Sequence, residues 1–237
     1  MGAIRLAYTV IFLAVVIGGC APQVRDTAPE LQPVAGQVPE NLRYKHYEQA
    51  AASGKAVYRV DSARSLLAIT VRRGGSLARF GHDHVVASHE VQGFIAPEDG
   101  RADLHIPLEK LSVDEAALRA DAGLDTQPSE SDIAATRVNM LDKVLETQQF
   151  PFAFIHVSGL ESLPVGVRVN VSLTLHGVTR LFNVPVELEA GRDEMSVAGM
   201  LELRQSDFGI VPFSILGGAV QVLDRMDLSF RIRARRV

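Results

Sequence analysis

The clearest pattern in the chain is strict alternation. From 167 to 175, Val169, Val171, Leu173 and Leu175 point one way, and Arg168, Asn170, Ser172 and Thr174 point the other, as in a strand with one dry and one wet face. His176-Gly177-Val178-Thr179 supplies a turn, after which Phe182, Val184, Val186 and Leu188 form the next apolar face. Gly191-Arg192-Asp193 turns again; Val197, Gly199, Leu201 and Leu203 follow, and Leu228, Phe230 and Ile232 close the series. Upstream, residues 57 to 71 are strand-like with a bend at 61–65. Val85, Ala87, Val91, Gly93 and Ile95 are expected on one face, with His89 among them. Leu104 and Ile106 are expected inward with His105 outward, and Phe152 to Gly159 gives a further strand. Helical spacing occurs over about 133 to 147 (Ile133, Arg137, Leu141, Val144, Leu145), with Ser131 or Asp132 as cap and Phe150-Pro151 as stop. Shorter helices are expected over 114–120 and 44–52. About eight strands at hairpin spacing, with one good helix, predict an all-β antiparallel barrel or sandwich. One-sided alternation fits a barrel with an apolar interior, filled by its own side chains or by a ligand.

The first 55 residues differ from the rest. Arg5 precedes an apolar run from Leu6 to Ile17, shorter than the ~20 residues of a membrane span, so it reads as a secretory signal. Ile17-Gly18-Gly19-Cys20 resembles a bacterial lipoprotein processing box, which implies cleavage before Cys20 and lipidation of that residue, the chain's one cysteine. The alternatives are an ordinary signal peptide or an uncleaved anchor. Ala21 after the cysteine resembles lipoproteins sent to the outer membrane, facing the periplasm. From 20 to 55 the prolines 22, 29, 33 and 39 and a polar mixture predict a flexible tether, spanning ~30–35 Å on average. The folded domain is expected from 56 to 237.

A net charge of −4 gives the whole chain no basic footprint for nucleic acid. The terminal Arg231-Ile232-Arg233-Ala234-Arg235-Arg236 reads as a solvated strand face. No phosphate loop, paired redox cysteines, haem-attachment motif or Gly-x-Ser-x-Gly is present, so the chain is read as a binding protein and not an enzyme.

Val57-Tyr58-Arg59-Val60-Asp61, the helix leading into Gln149-Phe150-Pro151, Leu175-His176-Gly177-Val178-Thr179 and Ser206-Asp207-Phe208-Gly209-Ile210, in that order, resemble the YceI-like family over about 56 to 237. The resemblance implies an extended, eight-stranded, lipocalin-like antiparallel barrel with a helix alongside, which binds a long isoprenoid or similar amphiphilic lipid in the cell envelope and needs no other cofactor. Val169, Val171, Leu173, Phe182, Val184, Val186 and Phe208 are then expected to contact the ligand. His176 is expected to be structural.

Phe80-Gly81-His82-Asp83-His84 and His89 depart from the commonest family pattern; three of seven histidines fall within eight residues. His82 and His84 would share a face of an extended chain and can bind a metal if His89, Asp83, His105 or His156 completes the set. Alternatively, His82, His84 and His89 bond a polar head group at the barrel lip. The third alternative is a structural corner in which Asp83 orients a histidine and Gly81 permits the turn. At the level of the whole protein the alternatives to a lipid carrier are a metal-binding envelope protein and a packed protein without ligand.

Overall fold

The structure, a computed structural model, describes residues 45–160 and 167–237; the expected signal 1–19, Cys20 and the tether up to residue 44 lie outside the described residues. Eight antiparallel runs close into a barrel, and three of them are broken in two. Strands β1 (Tyr58–Val60) and β2 (Leu66–Gly74) are separated by a 3-10 turn at Ser62–Arg64. Strands β3 (His84–Ser88) and β4 (Gln92–Ala96) are separated at 89–91, and β5 (Arg101–Pro107) and β6 (Ser112–Val113) by a turn at Leu108–Lys110. Strands β7 (Phe152–Ser158), β8 (Val167–Leu175), β9 (Val178–Ala190), β10 (Glu194–Arg204) and β12 (Val220–Arg236) complete the ring, and β11 (Ser214–Ile215) is a short flap on β12. Each run pairs with its neighbour in the chain. Closure comes from β12, which lies opposite β1 (Tyr58 to Arg236) and β2 (Ile69 to Leu228). A closed ring leaves no unpaired sheet edge.

Local chemistry sets the corners. In the β8–β9 hairpin His176 (φ 51°) and Gly177 (φ 73°) are both left-handed, the two-residue turn that matches strand twist. The His176 ring bonds Glu146 (Nε2 to Oε2, 2.7 Å) and lies against Phe150, so this hairpin is tied to the chain leaving the helix. Gly93 (φ 143°) crosses β5 so closely that a Cβ would stand 2.1 Å from the Asp103 carbonyl oxygen. At Gly199 the missing side chain is replaced by the Phe230 ring from the opposite strand.

Among the described residues three α-helices flank the barrel. Helix α1 (Lys45–Ala52) matches the short helix expected over 44–52, but this end of the expected tether is docked: Tyr47 is 2% exposed and its hydroxyl donates to Asp103 Oδ2 (2.6 Å). Asp103 also accepts from His156 Nδ1 (2.7 Å) and Arg101 Nε (2.6 Å). Burial pushes its carboxyl up, but the bonds from His156, Arg101 and Tyr47 outweigh this and hold it at about 2. Helix α2 (Ala116–Asp121) is short. Helix α3 (Glu130–Asn139) starts at a capping box made by Ser129 with Asp132, rather than at Ser131 or Asp132 as expected, and continues as a π turn over Met140–Val144. The terminal arginines occupy the outer face: Ile232 and Ala234 are buried, and Arg235 meets Asp61 at 3.0 Å.

One expected face is corrected. The break at 89–91 places three residue steps, not two, between the buried Ser88 and the buried Val91, which shifts the alternation by one. Val86, not Val85 or Ala87, therefore joins Val91 and Ile95 inside. Val85 and Ala87 are buried on the outer side, on the strand that α2 packs against. Burial on both faces hid the true phase.

Candidate functional site

Inside the barrel is a cavity of about 520 Å³, within the range of small-molecule sites. It runs nearly the length of the barrel. Its lining reaches from Gln221 on β12 to Ile232, 11 positions farther on (232 − 221). That span is ~36 Å along the strand, or roughly 25–30 Å along the barrel axis at the usual tilt. The walls are Val, Leu and Ile from every run. Val169, Val171, Leu173, Val184 and Val186 border it as the alternation predicts, joined by Leu201, Leu228 and Ile232. Phe182 and Phe208 do not border it. Their rings lie 6.4 Å apart within the core, with Phe208 fully buried, so they fill the barrel instead of facing its open space.

The polar lining is gathered at one end: Arg73, His82, His84, Asp132, Thr136, Asn139, Gln205 and Gln221. Here β2 ends and β3 begins. Asp83 fastens that crossing, since its carboxylate accepts from the Arg73 backbone N–H (2.8 Å) and from Arg72 Nη1 (3.3 Å). Asp83 thus orients arginines and backbone, not a histidine. Gly81 has φ −102°, open to any residue; a Cβ would come 3.3 Å from a Val220 methyl, so a larger residue would make that side chain give by a few tenths of an ångström.

The residue that orients a histidine is Asp114, which the sequence reading did not single out. Its Oδ2 lies 2.6 Å from His84 Nδ1; its Oδ1 accepts from the Val85 N–H (3.0 Å) and from Arg119 Nη1 (2.5 Å). Arg119 also donates to the Asp83 carbonyl (2.8 Å) and to the carbonyl of Thr126. The Asp114 side chain is wholly buried. Burial pushes its carboxyl up, yet the bonds from His84, Val85 and Arg119 prevail and hold it below the usual carboxylate range. An ionised Asp114 fixes the proton of His84 on Nδ1 and leaves Nε2 for the cavity. Asp114 holds a left-handed backbone (φ 58°), which Asp tolerates better than most residues. Nothing local in Val113-Asp114-Glu115 marks it; it lies 30 residues from its partner (114 − 84).

His82 is the second mouth histidine. Its ring centroid is 6.2 Å from that of His84, and its Nδ1 is buried without a hydrogen-bond partner. A buried polar atom left unpaired costs about 1–3 kcal/mol. His89 is not a mouth residue. The phase shift at 89–91 turns it outward, 51% exposed, where Nε2 bonds Glu115 (3.0 Å). Among the described residues no group of three or more His, Cys, Asp or Glu has metal-holding geometry. The proposed third ligands are committed elsewhere: Asp83 to Arg72 and Arg73, His89 to Glu115, His156 to Asp103, while His105 is buried beside Phe152. Burial lowers the His105 pKa.

The geometry can therefore hold a long apolar body with one polar end. Among solved structures, the chain is similar to a polyisoprenoid-binding domain from Saccharophagus degradans implicated in plant cell wall breakdown. Identity is 16%, the TM-score 0.56, and the match covers 76% of this chain and 98% of that one. BcnA of Burkholderia cenocepacia is similar at 16% identity and TM-score 0.50, covering 73% of this chain and 98% of that one. A search of curated proteins gave no match. At such identities the likeness carries the fold. A family model for the YceI-like domain matches residues 58–234, about three quarters of the sequence, and the chain belongs to that family.

Proposed function

We propose that this protein binds one amphiphilic isoprenoid or similar lipid, with the tail in the barrel and the head group at the His82–His84 mouth. The observation that carries this is the axial apolar cavity whose polar residues collect at a single end. Each five-carbon unit moved from water into such a wall contributes about 4 kcal/mol before ordering costs, at ~0.8 kcal/mol per carbon. A few units therefore suffice for tight binding. His84 Nε2, left free by the bond from Nδ1 to Asp114, gives the head group a ring nitrogen to bond, and the His82 ring borders the same space. That the Saccharophagus domain is described as polyisoprenoid-binding supports the same ligand class.

The decisive experiment is organic extraction and mass spectrometry of protein purified from its native envelope. A prenyl-tailed lipid near one per chain is expected; a barrel that copurifies with none and takes up none on reconstitution overturns the reading. We also propose that lipidated Cys20 anchors the protein in the envelope, facing the periplasm. Cys20→Ser is expected to release it from the membrane fraction; unchanged partitioning overturns the anchor.

A further inference from the structure

The mouth of the barrel carries an apolar rim that the ligand reading does not require. Two loops build it. Residues 75–81 pack on residues 218–220, with the Leu77 N–H bonding the Ala219 carbonyl (2.8 Å) and Gly81 close against Val220. The loop leading into β12 is held by the bond from the Val222 N–H to the Phe213 carbonyl (2.9 Å). From these loops project Phe80 (66% exposed), Val211 (80%), Ile215 and Leu216 (72%). Leu216 heads three successive left-handed residues, Leu216, Gly217 and Gly218 (φ 53°, 65° and 90°). A bulky residue rarely adopts that conformation, and here it holds a leucine out in water. Phe80 and Ile215 also border the cavity, together with Phe213 and Val220, so the exposed rim is continuous with the apolar wall inside. Two cations stand over the rim aromatics: Arg79 lies 4.6 Å from the Phe80 ring centroid and Lys143 lies 5.8 Å from that of Phe213. Neither forms an ion pair among the described residues, whereas Arg72 and Arg73 are tied to Asp83.

We infer that this rim docks on an anionic lipid bilayer. Phe80, Ile215 and Leu216 enter the acyl boundary, and Arg79 and Lys143 face the head groups. A rim that is apolar at its crest and cationic at its flank matches a membrane interface, where the apolar part is buried and the charge meets anionic lipid. Docking in this pose sets the open end of the tunnel against the bilayer, so a lipid tail passes between the two apolar media without crossing water. The inference rests on the proposed lipid-carrying function and names the surface from which the ligand is drawn.

The chain has no tryptophan, which permits a site-specific test. Single tryptophans are placed by Phe80→Trp, by Leu216→Trp and, as a control on the mid-wall of the barrel, by Met200→Trp, all in the Cys20→Ser chain. Vesicles are of phosphatidylcholine alone or with phosphatidylglycerol. Emission is expected to shift to the blue at positions 80 and 216 and not at 200, more strongly with the anionic vesicles. Arg79→Gln with Lys143→Gln is expected to weaken that anionic preference roughly 30-fold, since one cation at an anionic surface contributes about 5-fold. No shift at 80 and 216, or an equal shift at 200, overturns the inference. A blue shift without vesicles that grows with protein concentration overturns it too, because it marks a second copy of the chain as the occupant. Extraction of lipid from the same preparations separates the two claims. A filled tunnel with a silent rim leaves the ligand reading intact, and an inserting rim with an empty tunnel leaves the docking intact.

Discussion

Replacing Asp114 with asparagine tests the support of the mouth with almost no change in shape. Asparagine tolerates the left-handed backbone at this position, so the perturbation is confined to charge and donor pattern. The native carboxylate receives three bonds, from His84, the Val85 N–H and Arg119. In the variant the Arg119 guanidinium, itself buried, keeps the carbonyls of Asp83 and Thr126 but loses its counter-charge. Removing one partner of a buried pair costs about 3–5 kcal/mol, and the amide oxygen still accepts one bond, so a loss near 3 kcal/mol is expected. With a urea m-value of ~2 kcal/mol/M this lowers the unfolding midpoint by roughly 1.5 M at unchanged slope. The pH dependence provides a second check. The carboxyl of Asp114 lies lower in the fold than in the unfolded chain. Its contribution is thus fully present above the unfolded value near 4 and is lost as pH falls through the folded one. The variant should lack that acid-side loss. A midpoint shift under about 0.3 M, or identical acid limbs in wild type and variant, would refute the account of Asp114 as the charged support of the mouth.

Other outcomes follow from the same geometry. Leu201→Trp fills the tunnel from β10 and is expected to keep the fold by circular dichroism while removing copurified lipid; lipid at wild-type stoichiometry counts against a tail running past that residue. His82→Phe removes the unpartnered Nδ1, so the ligand-free protein should gain about 1 kcal/mol in urea unfolding while ligand affinity falls; unchanged affinity removes His82 from the head-group site. Metal analysis of wild type beside the His82→Ala/His84→Ala double variant should give equal, substoichiometric values, and a stoichiometric metal lost only in the variant would revive the metal alternative. Tyr47→Phe removes one of the three side-chain donors to Asp103 and should cost about 1–2 kcal/mol and speed proteolysis within α1; an unchanged cleavage rate would show that the hydroxyl does not hold the helix.

Strict alternation in β8, β9 and β10 made an antiparallel barrel or sandwich legible from the sequence, because a strand with one wet face has only one way to orient and its period is two; the YceI-like motifs narrowed it to a barrel. The same rule identified Val169, Val171, Leu173, Val184 and Val186 as wall residues. It failed at β3. There both faces are buried, so Val85, Val86, Ala87 and Ser88 carry no phase information, and the extra residue at 89–91 moved His89 from inside to outside. Phe182 has the inward phase, but alternation cannot tell a ring that faces open space from one tilted against Phe208.

By itself, the sequence determined the number of strand runs, their succession along the chain and their one-sided apolar faces, because these depend on local period and residue type. Only the tertiary structure decided that the interior is open rather than filled, since cavity volume depends on how opposite walls meet. It also decided that Asp114 and Arg119, not Asp83, support His84. Those residues come together through the return of the chain past β6 into α2, a contact made across about 30 positions that leaves no local pattern to read.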